Sequence, residues 1–110
     1  MGRQQKERWW NELVAVKYKR EYNLIIKDMV NALEHLEGHY KLLGLDDEDW
    51  EKLNKEERNE YLKTMSHDII YGLGGRPVIE IAQGAVCYEP NLAQIRVYDG
   101  DKCVYIVWLN

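Results

Sequence analysis

The chain has 110 residues and a formal net charge of −4, with 45% hydrophobic and 31% charged side chains. That is the size of one domain able to bury a real core, and the composition excludes an intrinsically disordered chain. No apolar run approaches the roughly 18 residues that a membrane-spanning helix needs.

The first segment is basic: residues 1–20 carry six basic and two acidic side chains, whereas residues 21–62 carry five and twelve. Such asymmetry fits either a nucleic-acid or membrane contact or helices packing on one another. The stretch Leu13 to Val16 is too short for the apolar core of a secretory leader and runs at once into Lys17, Lys19 and Arg20. The expectation is a cytoplasmic protein in which Cys87 and Cys103 are free thiols. Between Arg8 and Tyr18, Trp9, Leu13 and Val16 have helical spacing, while Val14, Val16 and Tyr18 alternate as in a strand. Neither proline nor glycine occurs in residues 3–37, so the segment is read as a helix that can run into the next one.

From Tyr22 the apolar positions Ile26, Met29, Leu33, Leu36, Tyr40 and Leu43 continue one helical face, and Gly44 stands where a helix C-cap belongs. Asp46 then reads as an N-cap with acids through the first turn, and Asn54 with Glu57 three residues on as a second cap. Leu62, Met65 and Ile69 extend this last helix to about Tyr71-Gly72.

After Pro77 the period becomes two. Val78 to Ala82 and Ala85 to Glu89 read as strands around a Gln83-Gly84 turn, and Ala93 to Tyr98 and Lys102 to Leu109 as a hairpin about Asp99-Gly100. Helices first and strands afterwards define an α+β domain spanning residues 1–110. About three helices over residues 3–72 pack on an antiparallel meander of three to four strands over residues 77–109.

Candidate chemistry is sparse. His35 and His39, four apart on the expected helix, could share a metal ion. Leu36 stands where the metalloprotease motif requires glutamate, and the remaining ligands would have to come from elsewhere, such as His67 or Asp68. Ser66-His67-Asp68 cannot act as a triad, because successive helical residues diverge by about 100°. The glycines from Gly72 to Gly75 run from helix to strand, the reverse of a phosphate loop. Asp46 to Asp49 lack the alternation and the glycine of a calcium loop. The basic residues Arg3, Lys6, Arg8, Lys17, Lys19 and Arg20, interleaved with Trp9 and Trp10, match nucleic-acid contact or an anionic membrane surface. No cofactor pattern is present.

The last strand, Cys103 to Leu109, is apolar on both faces. Pairing across Asp99-Gly100 puts Ile95 opposite Val104 and Ala93 opposite Ile106. Val104, Ile106 and Trp108 then face the helices with Ile95 and Val97. Cys103, Tyr105, Val107 and Leu109 fall on the outer face beside Gln94 and Arg96, a surface for a second copy or another protein unless residues 3–20 cover it. The leading expectation is therefore a non-enzymatic protein-binding or regulatory domain, homodimeric, of the kind that accessory genes of viruses and mobile elements encode. A nucleic-acid binder using the basic segment and a metal-dependent hydrolase or nuclease around His35 and His39 are the alternatives.

Overall fold

The computed structural model describes residues 15–110. Helix α1, Tyr22–Glu34, buries Ile25, Ile26, Met29, Val30, Ala32 and Leu33. A single-turn 3₁₀ helix spans His39–Leu43, a short α2 spans Asp47–Glu51, and the long α3 spans Lys55–Gly75. Four strands follow, β1 Val78–Ile81, β2 Gly84–Glu89, β3 Gln94–Asp99 and β4 Lys102–Trp108, with a turn of 3₁₀ helix at Pro90–Leu92. They form one antiparallel sheet in the order β1-β2-β3-β4. This is the α+β meander expected from the sequence.

The caps work as their residues dictate. Asp46 accepts from the Asp49 amide at 2.7 Å, and Asn54 accepts from the Glu57 amide at 2.9 Å, each inside a reciprocal capping box. Helix α3 packs against α1 and reaches β1 and β2, and α1 also lies on β4. The two helices and one sheet face enclose a single cluster that includes Met29, Leu33, Met65, Ile69, Val86, Ile95, Val97 and Val107.

The helix expected to run from Tyr22 to Leu43 stops at Glu34. The His35 and Leu36 amides bond back only three residues, to the Ala32 and Leu33 carbonyls. Gly38 then takes a left-handed conformation (φ 76°) that no helix can continue through. Residues 15–20 form neither helix nor strand. Their amides are spent on the end of the sheet, Lys19 and Arg20 both donating to the Leu109 carbonyl at 2.9 Å and Lys17 to the Tyr88 hydroxyl at 3.0 Å. Val16 alone of this stretch is buried. The rest of the expected first helix, with Arg3, Lys6, Arg8, Trp9 and Trp10, lies outside the described residues.

The largest correction concerns the facing of β4. The hairpin loop is Gly100-Asp101, with Asp99 opposite Lys102 and Tyr98 opposite Cys103. Between Val97 and Tyr98 the register shifts, so that Val97 lies opposite Tyr105, and Ile95 opposite Val107. Val104 is the extra residue of a β-bulge, and one extra residue inverts the alternation of everything beyond it. Val107 and Leu109, expected outside, are 0% exposed against the helices. Tyr105, expected beside them on the outer face, is half-buried against the same core. Ile106 and Trp108, expected inside, are 37% and 54% exposed on the outer face. Cys103, ahead of the bulge, keeps its outer position.

Candidate functional site

Two regions carry side chains that the core does not use. The first is the outer face of the sheet. Cross-strand pairing aligns Val78, Cys87, Arg96 and Ile106 in one row, and Ala85, Tyr98 and Cys103 in the next. Trp108 stands over Gln94, whose amide oxygen accepts from Arg96 Nε at 3.0 Å and whose side chain is 6% exposed. The face is thus largely apolar, with Glu80 and Glu89 on the β1–β2 side and Arg96 on β3. Cys87 and Cys103 are free thiols. Burial, reinforced by Glu89 and Cys103, pushes the Cys87 thiol up, which favours its protonated form.

Among the described residues, strand β4 is also an edge. Because the Leu109 amide bonds the Ala93 carbonyl at 2.9 Å, Trp108 and Ile106 turn their backbone groups away from β3. Arg20 covers part of this edge: its Nη1 donates to the Trp108 carbonyl at 3.1 Å and to Asp28 at 2.6 Å. A shallow groove of about 480 Å³ runs along Cys103 to Ile106.

The second region lies among the helices. Trp50 of α2 stacks on Tyr40 at 5.0 Å between ring centres, meets His39 edge-on at 5.1 Å, and carries the Arg58 guanidinium 5.3 Å from its ring centre. Arg58 Nε donates to the Trp50 carbonyl at 3.1 Å. The Tyr40 hydroxyl donates to Asp47, which pushes its pKa up to about 12. Beside this stack opens a cleft of about 520 Å³.

The residues singled out in the sequence are dispersed. His35 and His39 do not share a helical face, since α1 ends at Glu34. His35 is exposed, its Nδ1 donating to the Asn31 carbonyl at 2.7 Å, while His39 is buried beyond Gly38 with Nδ1 on the Leu36 carbonyl at 2.8 Å. His67 is paired with the Tyr22 hydroxyl at 2.9 Å. Among the described residues no group of three or more His, Cys, Asp or Glu is placed to hold a metal ion. Ser66 is buried and donates to the Leu62 carbonyl at 2.7 Å. Of the basic set, Lys17 and Lys19 are exposed on the irregular segment ahead of α1 and Arg20 is engaged with Asp28. Among the described residues no helix is long and apolar enough to cross a membrane.

Sequence reasoning missed Ile106 and Trp108 as surface residues, because nothing in the strand's composition marks a bulge. It also missed the His39–Trp50–Arg58 cluster. The glycines at positions 38 and 44, bracketing a run of one turn, were the available signal. No protein-family model matches this chain, and comparison with curated proteins and with solved structures finds no match either.

Proposed function

We propose that the protein is a cytoplasmic protein-binding domain that acts as a homodimer, joined through the β4 edge and the outer sheet face beside it. The observation that supports this reading is the pair Ile106 and Trp108, exposed on a strand whose outer edge pairs with no other strand among the described residues. A long apolar edge strand invites strand addition. A second copy suits it chemically. No charged side chain occurs from Cys103 to Leu109, so β4 can pair antiparallel with its own copy about Ile106 with Lys102 opposite Asn110. No like charges then meet across the junction.

The test is the molecular mass in solution by light scattering after size exclusion. Wild-type protein at about 100 μM is expected to be dimeric, because an edge-and-face contact of this kind should hold in the micromolar range. Ile106→Lys and Trp108→Glu are expected to give a folded monomer. A wild-type monomer at that concentration overturns the reading.

A further inference from the structure

The chain between α1 and α3 is held to the fold by a titratable anchor. From His39 to Asn54 one residue is buried, and it is His39, at 7% exposure. The 3₁₀ turn buries no other side chain, and α2 buries none. Leu43 and Trp50 add half-buried contacts with the core. Gly38 and Gly44, both left-handed, bracket the turn. A segment with so little buried surface can open at far less cost than the whole domain can unfold.

The anchor suits its site only when neutral. Nδ1 lies 2.8 Å from the Leu36 carbonyl, which only accepts, so Nδ1 carries the proton and Nε2 is bare. Nε2 is closed to solvent and has no hydrogen-bond partner among the described residues. A proton added there makes a cation and a donor together, and the closed site offers that donor neither water nor an acceptor. Burial disfavours the charged ring and outweighs the Leu36 carbonyl and Glu34 of α1, which favour it. Lys55 and Arg58 of α3 line the same cleft with the opposite sign to Glu34. The carboxylates of Glu37, Asp47 and Glu51 act on Tyr40, Asp47 as acceptor from its hydroxyl. Strand β1, which the 3₁₀ turn touches, turns Ile79 and Ile81 toward the core and no charge. Trp50 meets the imidazole edge-on at 5.1 Å, but its ring already carries the Arg58 guanidinium. Only by opening does the segment bring Nε2 to water.

We infer that residues 39–53 form an arm latched by His39, and that a proton taken up at Nε2 frees the arm while α1, α3 and the sheet stay folded. Release withdraws Leu43 and Trp50 from the core and uncovers Leu62, which lines the cleft with Trp50. The direction follows from linkage. The open arm takes the proton at the ordinary histidine value of 6.5, and the closed arm only at lower pH. Closure is therefore complete above that value and weakens below it. One proton raises the opening equilibrium by no more than about tenfold per pH unit.

The test is hydrogen exchange of the full chain, with the His39 ring nitrogens followed in parallel by NMR. Within the arm the amides of Trp50, Lys52 and Leu53 donate to the carbonyls of Asp46, Glu48 and Trp50. A helix as short as α2 has no stability of its own, so these bonds last only while the arm is docked. Their exchange, corrected for the intrinsic effect of pH, should quicken several-fold between about pH 7 and pH 5 as His39 titrates. Amides of β3 should stay far more protected than the arm at every pH. His39→Phe keeps a ring in the pocket but takes up no proton, and should abolish the response. Should that variant fail to fold, His35→Gln combined with His67→Gln, at exposed positions, decides instead, since it should keep the response in full. Exchange in the arm that ignores the titration of His39 would mean that Glu34 turns to receive the proton in the closed state, and would overturn the inference. Equal protection of arm and β3, a response that survives His39→Phe, or one lost with His35 and His67 would do the same. None of these substitutions alters β4 or the outer sheet face, so the proposed dimer stands or falls separately.

Discussion

Gly84 lies against the backbone of Tyr98. A β-carbon at Gly84 would collide with the Tyr98 carbonyl oxygen, approach the carbonyl carbon to 2.9 Å, and press on Leu36 Cδ2 at 3.0 Å. The strand-to-strand approach and the seat of Leu36 thus both depend on hydrogen at this position. Gly84→Ala is expected to destabilise the fold by at least about 2 kcal/mol, since backbone cannot yield as a side chain can. Urea titration followed by circular dichroism measures it, and a midpoint equal to wild type would show that β2 and β3 are not held this close.

The corrected facing of β4 gives a sharp contrast between neighbours. Val107→Lys should prevent folding, because it buries an unpaired ammonium at a fully enclosed site. Ile106→Lys, one residue away, should change stability by less than about 1 kcal/mol. Were the strand regular, the two outcomes would be exchanged. Thermal melts of both variants decide between them.

His39 makes stability depend on pH. Burial lowers its pKa below the ordinary 6.5, outweighing the opposite pulls of the Leu36 carbonyl and Glu34. The charged groups that line the cleft with it are Glu34, Lys55 and Arg58. With the folded pKa depressed, the unfolded chain binds the proton first. The stabilisation is therefore complete above pH 6.5 and declines as pH falls below it, until the folded form also titrates. The midpoint in urea should drop between about pH 7 and pH 5, before most carboxylates protonate. His39→Gln should flatten that decline, and a wild-type profile with no slope in this window would count against it.

Arg20 ties the entering chain to α1 and to the β4 edge at once. Arg20→Ala is expected to cost about 1 kcal/mol, as a partly exposed charged hydrogen-bond pair does. It should also bare the Trp108 carbonyl and enhance association along the edge. Sedimentation of the variant at several concentrations would show species larger than wild type, and an unchanged distribution would argue that Arg20 does not shield the strand.

Removing Asn54 as a cap should likewise be measurable. Its oxygen and Glu57 satisfy two amides at the start of the 21-residue helix α3, and Asn54→Ala should lower stability by about 1 kcal/mol. Hydrogen exchange should quicken first at Glu57.

Where local chemistry decides the outcome, the structure was legible from residue order. Asp46 and Asn54 cap because their side chains can reach the third amide, and the alternation after Pro77 admits only strands. Legibility failed where a distant partner decides. Val16 and Tyr18 fit a helix or a strand until the Leu109 carbonyl claims the amides of Lys19 and Arg20. The stripe through Leu36, Tyr40 and Leu43 keeps helical spacing even though Gly38 breaks the helix, because a 3₁₀ turn nearly preserves the period. The bulge at Val104 left no trace, since valine suits either conformation. It displaced the candidate surface by one residue, from Tyr105, Val107 and Leu109 to Ile106 and Trp108. The cleft at His39 depends on α1, α2 and α3 converging, a tertiary fact with no local signature.

The residue at the bulge also changes how this hairpin can vary. In a regular strand, losing one residue turns every later side chain over. Here Tyr98 already lies opposite Cys103, and Val97 opposite Tyr105. A chain lacking Val104 would close into an unbroken ladder with Cys103 still outside and Val107 still inside. The tip and the base of the hairpin are thus out of phase by one residue, and a deletion there would restore the phase without turning the sheet inside out.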